Sequence, residues 1–320
     1  MALPFTQITS ITQKLILKKM TEGVFTGHVV LERFRKNQEL EEGGDQIKSP
    51  LMTVNDTGTT GGFYASRDVL PLSEYDGLSA SLHEWRHIYE SVVIYKPDIA
   101  KNAGVLGVLK LIDKKVRQAE LAMKQRMIKG LLSDGTASTG ALTTEQFDGL
   151  RAVIASSGTY GSISSVDLAT WLSYVDDNSG TLRALSQAIV DKAYDQAAEE
   201  GQGAPTLGLM TKAVYTKFKG LLTGIQRTTR ESTLNGLGHK GQALIYNGID
   251  HHIENQMPES TLFYVDEEHF KLHVHKDHNM RRQTISDLET ADALLERIFL
   301  YGNTVASERK YHSRVNDITI

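Results

Sequence analysis

Cysteine is absent from the 320 residues, which excludes disulfide bonds and metal sites built on thiolates. No run of apolar residues reaches the roughly 18 that a membrane helix needs. The first twenty residues, MALPFTQITSITQKLILKKM, also lack the charged and then apolar order of a signal peptide. We therefore expect synthesis in the cytosol and no membrane partner.

An excess of charge of one sign is also missing. The chain has 35 Lys and Arg against 39 Asp and Glu, a formal net charge of −4, so its composition gives no argument for nucleic-acid binding. Hydrophobic residues make up 40% of the chain and charged residues 23%, the balance of a folded protein. Internal repeats and low-complexity tracts are absent as well. The length allows one large core or two to three modules.

The longest helical pattern lies between Pro97 and Gly135. Its apolar residues recur at alternating spacings of four and three, which places them on one helix face: Val105, Leu109, Ile112, Val116, Ala119, Met123 and Met127. Lysine and arginine dominate the opposite face. A helix from Asp98 to Leu131 would span about 50 Å at 1.5 Å per residue, which is long for a globular domain. The alternative is two helices broken near Gly104 or Gly107.

Residues 47–95 read as two extended arms around a polar loop. The centre of this loop contains Gly58, Gly61 and Gly62, which permit backbone conformations that other residues resist. The second arm ends in SVVIY, a strong strand pattern. A segment of this length with so little apolar content cannot build a core alone. We expect it either to be mobile or to pack on something outside its own domain.

The rest of the chain mixes helices and strands. Thr143 with Gln146 forms a capping-box pattern before a short helix. Residues 181–200 predict a second amphipathic helix, GAPTLGLMT a short buried strand and KAVYTKFKGLL a further helix. Strand patterns prevail from residue 225 onward, and the last strand is expected from Ile298 with Gly302 as a candidate bulge. This alternation predicts the α+β class.

The sharpest chemical motif is HEWRH, His83-Glu84-Trp85-Arg86-His87. It matches H-E-x-x-H, in which one helix face presents two imidazoles to zinc and the glutamate acts as general base. The motif requires a helix, but the β-branched residues that follow it favour a strand. In a strand, residues four apart lie roughly 13 Å from each other, too far to share a metal. A zinc hydrolase is therefore an alternative function and not the first.

A second group of histidines lies in the last third of the chain: His251, His252, His269, His273, His275 and His278. We expect exposed polar strand residues here rather than a metal site. The phosphate-binding loop, the dinucleotide-binding glycine pattern and the nucleophile elbow are all missing from the sequence. The sequence accordingly predicts no catalytic residue, no metal and no cofactor.

Several short phrases occur in an ordered series. VVIYKPDIAKN, with Asp98 and Asn102, precedes the long helix, and LSDGT, Leu132 to Thr136, follows it. GLRAV, Gly149 to Val153, comes next, and then PTLGLMTKAVY, Pro205 to Tyr215. In order and spacing, this series resembles the tailed-phage major capsid proteins of the Hong Kong 97 fold, over most of the chain.

The resemblance implies an α+β fold with four parts. These are an N-terminal arm (1–45), an extended β-hairpin loop (46–95), a peripheral domain (96–139 and 271–312) and an axial domain (140–270 and 313–320). The long helix would be the spine of the peripheral domain. The loop would lie over a neighbouring subunit, which would supply the partners that its own sequence lacks.

The resemblance also implies a structural protein, not an enzyme, that assembles into pentamers and hexamers of an icosahedral or prolate head around double-stranded DNA. Its expected partners are further copies of itself, a separate scaffolding protein, a portal and a decoration protein, with non-specific contacts to the packaged DNA. The expected location is the virion, after assembly in the host cytoplasm. An encapsulin-like nanocompartment has the same fold and is a further alternative.

Contacts with neighbouring subunits are expected mainly in the loop. The candidates are Asp56, Gly61, Gly62, Tyr64, Arg67, Asp68, Tyr75 and Arg86. Some members of the family join subunits by an isopeptide bond from a lysine of the loop to an asparagine. The stretch from Ser49 to Tyr95 contains no lysine, so we expect no such cross-link.

Overall fold

The computed structural model describes residues 29–52, 63–69, 78–101, 105–136, 145–168, 170–198, 203–222, 228–230, 243–285 and 292–320. Within these ranges the chain folds into a five-stranded sheet, a seven-stranded sheet, two small hairpins and one helix of 27 residues. The mixture of helices and sheets agrees with the predicted α+β class. None of the described helices is long and apolar enough to span a membrane.

One long strand, β15 (Ala293–Ala306), organises the five-stranded sheet. Strand β4 (Arg86–Tyr95) runs antiparallel along one edge of β15 and contains the predicted SVVIY strand, which is confirmed. Strands β13 (Phe270–His275) and β14 (Arg281–Ile285) follow each other along the opposite edge. Strand β1 (Glu39–Glu41) joins β13 in parallel. The sheet thus unites segments from both ends of the chain.

Gly302 does not form the predicted bulge, and its strand begins at Ala293 rather than Ile298. The pairing of β15 with β4 runs without an insertion from Ala293 opposite Tyr95 to Gly302 opposite Arg86. A Cβ atom at Gly302 would collide with the backbone carbonyl oxygen of His273 in β13. Glycine is required here because two backbones approach closely.

The long helix predicted from Asp98 to Leu131 is confirmed from Val105 onward. Helix α2 (Lys96–Lys101) follows β4 directly, and helix α3 (Val105–Leu131) contains Gly107, so the chain does not break there. Gly104 lies outside the described residues. Four members of the predicted apolar face are buried: Val116, Ala119, Met123 and Met127. This face lies against β4, while helix α1 (Val29–Lys36) packs on both α3 and β13.

The seven-stranded sheet has the order β7 (Tyr174–Asp176), β16 (Ser313–Val315), β12 (Leu262–Val265), β8 (Leu207–Met210), β11 (Ile249–Ile253), β10 (Ala243–Tyr246) and β9 (Thr228–Arg230). All four residues of β8 are buried, which confirms the predicted buried strand. The predicted KAVYTKFKGLL helix is confirmed as α6 (Lys212–Leu221) and contacts β11.

Helix α5 (Gln187–Ala197) packs on β16 and begins later than predicted. Arg183 pairs with Ile318 beside the sheet, so residues 181–186 are extended. The helix starts where the Ser186 hydroxyl accepts a hydrogen bond from the Ile189 amide. The short helix α4 (Leu150–Val153), by contrast, has Gly149 at its N-cap position and no side-chain cap. The predicted capping box is wrong, because the backbone amide of Gln146 donates to the Gly135 carbonyl and the helix begins four residues later. Thr143 lies outside the described residues.

The two arms around the polar loop form a hairpin. Strands β2 (Ile47–Met52) and β3 (Leu78–His83) pair antiparallel over six residues each. A second hairpin, β5 (Thr159–Tyr160) and β6 (Ile163–Ser164), lies against β3, where the Leu82 amide donates to the Gly161 carbonyl at 2.9 Å. The base of the first hairpin is thereby fixed to the body of the molecule.

Candidate functional site

The base of the β2–β3 hairpin is the richest polar site of the described chain. His83, at the end of β3, places its Nδ1 atom 3.2 Å from Asp148 Oδ2. Asn303 of β15 donates from Nδ2 to the same carboxylate oxygen at 2.8 Å and to the carbonyl of Glu84 at 2.9 Å. Three segments that are distant in sequence therefore meet at one buried network beneath the hairpin.

The same network contains a hydroxyl, an imidazole and a carboxylate in series. Ser81 Oγ lies 3.2 Å from His83 Nε2, and His83 Nδ1 lies 3.2 Å from Asp148. Hydrolytic triads use this order of groups, but they need a nucleophile that a substrate can reach. Ser81 is wholly buried, and the backbone of Gly161 comes so close that an added Cβ atom would lie 2.6 Å from Ser81 Cβ. The geometry fits a hydrogen-bonded support and leaves no space for a substrate.

The HEWRH motif does not form a zinc site. His83 ends β3, Glu84 and Trp85 connect the strands, and Arg86 and His87 begin β4. His83 is buried beside Asp148, whereas His87 is exposed and packs edge-on against Tyr301 at 4.3 Å between ring centroids. The motif lies on two strands and a turn, so the helix face that a zinc hydrolase requires is not present.

A short exposed segment, residues 63–69, lies between strands β2 and β3 in sequence. Phe63 and Val69 are almost fully exposed and Tyr64 is about two-thirds exposed. Asp68 accepts a hydrogen bond from the amide of Ala65 at 2.7 Å, which closes a turn. Large apolar side chains are usually buried, so their clustering in one exposed segment indicates a contact surface.

The structure describes four of the eight predicted contact residues. Tyr64, Arg67 and Asp68 lie in the exposed segment 63–69. Arg86 lies elsewhere, where its Nη1 atom is 2.5 Å from Glu145 Oε2 of the same chain and its Nη2 atom is 4.0 Å from Asp148. The other four, Asp56, Gly61, Gly62 and Tyr75, lie outside the described residues.

A second polar network connects β1 to β13 around a cavity of about 250 Å³. Lys271 Nζ lies 2.6 Å from Glu39, and His273 Nδ1 lies 2.9 Å from Glu41. The hydrogen bond from Lys271 keeps the pKa of Glu39 below its ordinary value. Within the described ranges, Glu39, Glu41 and His273 are the one group of three whose ligand-type atoms lie close together. Lys271 already supplies the positive charge, so we interpret the group as an ion-pair network and assign no metal to it.

The expectation that the late histidines are exposed is wrong for His251 and His273, which are buried. His251 lies in β11 with its ring nitrogens 3.2 Å from the Leu244 carbonyl and 3.1 Å from the Tyr264 hydroxyl. Burial lowers the pKa of His251 to about 4, so the ring is neutral at pH 7. Sequence alternation indicated the strands correctly but could not show which face the sheet covers.

Sequence reasoning also missed Glu39, Asp148 and Asn303. Each lies far along the chain from its partners: Asn303 is 155 residues from Asp148, and Glu39 is 232 residues from Lys271. No local spacing announces such contacts. Only the strand register of the folded chain brings them together, since β1 next to β13 places Glu39 opposite His273.

Comparison with known proteins supports the fold prediction. No curated protein sequence matches the chain. The capsid asymmetric unit of cyanophage A-1(L) is similar with a TM-score of 0.63 and 14% identity over 93% of this chain and 92% of that one. A solved structure of Mycobacterium phage Adephagia gives a TM-score of 0.55 and 14% identity over 92% of this chain and 91% of that one. The SrpI encapsulin of Synechococcus elongatus gives 0.57 and 10% over 89% and 87%. The chain has the Hong Kong 97 fold of these shell proteins.

The family is shown by sequence. The sequence model of the SU10 major capsid protein matches residues 98–311, about two-thirds of the chain. The match begins within helix α2, includes the long helix α3 and covers strands of both sheets. A capsid protein is a structural subunit that associates with copies of itself in a virion. The chain belongs to the SU10 major capsid protein family.

Proposed function

We propose that this chain forms pentamers and hexamers that close into an icosahedral or prolate phage head around double-stranded DNA, after assembly in the host cytoplasm. The observation that carries the proposal is the family match over residues 98–311. The shared fold of phage capsid subunits supports it. Modest contacts repeated over a closed shell add to a stable assembly because each contact raises the effective concentration of the next.

The proposed peripheral and axial domains correspond to the two sheets. The five-stranded sheet takes its long strands from residues 86–95 and 270–306, which supports a peripheral domain of 96–139 and 271–312 with α3 as its spine. The seven-stranded sheet takes its strands from 174–265 and 313–315, which supports an axial domain of 140–270 and 313–320. Residues 1–45 would be the N-terminal arm.

The loop 46–95 would reach a neighbouring subunit through its middle part. The paired strands β2 and β3 support an extended hairpin, and the exposed Phe63, Tyr64 and Val69 offer apolar surface for a partner to cover. The proposed contact residues are Asp56, Gly61, Gly62, Tyr64, Arg67, Asp68 and Tyr75. Arg86, at the start of β4, is the eighth proposed contact residue, and its guanidinium also binds Glu145 in its own chain.

The remaining partners are proposed from the family and from surface charge. A separate scaffolding protein, a portal and a decoration protein would complete the head. The exposed cations Lys114, Arg117 and Lys129 on helix α3 would contact packaged DNA through its phosphates, without reading its sequence. With no lysine from Ser49 to Tyr95, we propose that the shell forms without isopeptide cross-links.

Electron microscopy of the expressed chain, with and without its phage neighbours, tests the proposal. We expect closed shells with five-fold and six-fold clusters, and shells from infected cells should protect double-stranded DNA from nuclease. An encapsulin-like compartment would instead carry a protein cargo and no protected DNA. Stable monomers under every condition would contradict both shell functions, and a covalent ladder on a denaturing gel would contradict the absence of cross-links.

A further inference from the structure

The two histidine motifs of the sequence converge at one end of the five-stranded sheet. The ring of Tyr301 in β15 stacks on His278 at 4.3 Å with an angle of 6° between the planes, and meets His87 of β4 edge-on at the same distance. His278 in turn contacts His275 at 4.8 Å, and His275 contacts Trp85 at 5.6 Å. Five rings thus form a continuous chain, which we name the ring chain.

Besides the paired strands β4 and β15, the ring chain includes two segments that lie outside the strands. His275 ends β13, and His278 lies in the 3₁₀ turn Lys276–His278 that leads to β14. Trp85 lies between β3 and β4, and its Nε1 atom donates to the Gly44 carbonyl at 2.9 Å. The ring chain therefore fastens the turn after β13 to the connection that follows the β2–β3 hairpin.

Hydrogen bonds in the ring chain require neutral imidazoles. Arg281 Nη1 lies 3.0 Å from His278 Nε2, and the Asp277 amide donates to His275 Nδ1 at 3.1 Å. Guanidinium and amide groups only donate, so both of these imidazole nitrogens must present lone pairs. His278 Nδ1, 3.4 Å from His275 Nδ1, then carries the hydrogen of the contact between the two rings. A proton added to either imidazole would place a hydrogen against a donor that is already there.

Charges around the rings oppose protonation as well. Partial burial, then Arg281 and His275, lower the pKa of His278, and Asp277 is the carboxylate that acts in the opposite direction. Burial and Arg86 lower the pKa of His87, against Glu145. Among the other nearby charges, Lys276 and Glu42 lie 3.4 Å apart. Glu41, which lies opposite His275 in the register of β1 with β13, pairs with His273 at 2.9 Å.

We propose that His275 and His278 form a proton-operated latch, closed while both rings are neutral and released when either ring takes up a proton. Release would free the turn 276–280 from Tyr301 and from the connection at Trp85. Because the pKa of His278 is lowered in the closed state, the latch is fully stabilising above pH 6.5 and loses that contribution as the pH falls below 6.5. The latch acts within one subunit and does not depend on assembly into a shell.

Trp85 provides a local probe, since an imidazolium next to an indole quenches its fluorescence. The chain has two tryptophans, and Trp171 is buried away from the ring chain, so Trp85→Phe identifies the signal. In the unassembled wild-type subunit, we expect Trp85 emission to fall on acidification as the latch opens. His275→Gln should abolish the change. Arg281→Met should move the midpoint of the change to higher pH, because a like charge and a donor next to His278 are lost.

His252→Gln is the matched control, because His252 lies in β11 of the other sheet; it should leave the midpoint unchanged. Amide exchange of residues 276–285, corrected for the intrinsic effect of pH, should rise at pH 5.5 in the wild type, and this rise should be lost in His278→Gln. An unchanged transition in His275→Gln, or an unchanged midpoint in Arg281→Met, would overturn the latch. Either result leaves the proposed shell function untouched, since both are measured on single subunits.

Discussion

Asn303 and Asp148 hold each other by two reciprocal hydrogen bonds. Asn303 Nδ2 donates to Asp148 Oδ2 at 2.8 Å, and the Asp148 amide donates to Asn303 Oδ1 at 2.9 Å. Asn303 is fully buried on the long strand β15, and the same carboxylate oxygen faces His83 at the base of the hairpin. This pair is the point at which the hairpin, the segment after the long helix and the central strand are joined.

Replacing Asn303 by alanine should destabilise the subunit strongly. The substitution removes the donors to Asp148 and to the Glu84 carbonyl and leaves buried groups without partners. At roughly 1–3 kcal/mol for each unsatisfied group, we expect a loss of about 3 kcal/mol in the free energy of unfolding. Denaturant unfolding of the unassembled subunit measures it. Gln125→Ala, at an exposed position of α3, should change stability by less than about 0.5 kcal/mol; a similar loss in both variants would contradict the assignment.

Two glycines should respond in opposite directions to alanine. Gly302→Ala places a methyl group against the carbonyl of His273 and should force β13 away from β15, with a large loss of soluble protein. At Gly220 in helix α6, nothing lies within 4 Å of the added methyl group. Gly220→Ala should therefore raise the free energy of unfolding by about 0.5–1 kcal/mol, the ordinary gain of alanine over glycine in a helix. The yield of soluble protein and the thermal unfolding of both variants test these two expectations. A well-folded Gly302→Ala protein would show that β13 can move away from β15 without loss of stability.

Metal analysis should find no stoichiometric zinc bound through His83, Glu84 and His87. These residues lie on two strands and a turn, and His83 is held by Ser81 and Asp148. His83→Ala should lower thermal stability, because Asp148 loses a partner, while leaving the metal content of the purified protein unchanged. Zinc at one equivalent in the wild type, lost in His83→Ala, would restore the hydrolase alternative.

The sequence was informative where structure is local. The period of Val116, Ala119, Met123 and Met127 predicted a buried helix face, and the β-branched run before Tyr95 predicted a strand. The order of short phrases predicted the fold and the family. What it could not predict depends on register between distant segments. Gly302 looked like a bulge because only the neighbouring strand shows why a side chain is forbidden there.

The polar site was missed for the same reason. The sequence placed His83 in a candidate zinc motif. Its actual partner, Asp148, lies 65 residues away in an irregular segment, so no local pattern connects the two. His251 was expected to be exposed because alternation within a strand does not say which face a second layer covers. Here the aromatic ring of Phe218 in helix α6 packs over it at 5.1 Å.

The exposed segment 63–69 should control self-association without affecting the fold of the subunit. Phe63→Ser together with Val69→Ser removes apolar surface that touches little of its own chain, as their exposure shows. We expect fewer closed shells by electron microscopy and an unchanged melting temperature of the unassembled subunit. Val166→Ser is a matched control, since Val166 is similarly exposed but lies after β6. Equal shell yields for all three proteins would exclude this segment from the contacts between subunits.

Acid should destabilise the subunit through two buried histidines, His251 and His312. Burial lowers the pKa of His251 to about 4 and that of His312 to about 3, so both rings are neutral in the folded chain and take up protons only on unfolding. The stability that the two neutral imidazoles contribute is complete above pH 6.5 and is lost as the pH falls below it. Each imidazole should lower the free energy of unfolding by about 2 kcal/mol between pH 7 and pH 5.

Denaturant unfolding across this range, which lies above the titration of most carboxylates, measures the slope of the free energy of unfolding against pH. His251→Gln should reduce the slope, whatever its stability at pH 7, whereas Gln125→Ala, which removes no ionisable group, should leave it unchanged. A wild-type slope in His251→Gln would mean that the ring is already protonated, or accessible to water, in the folded state.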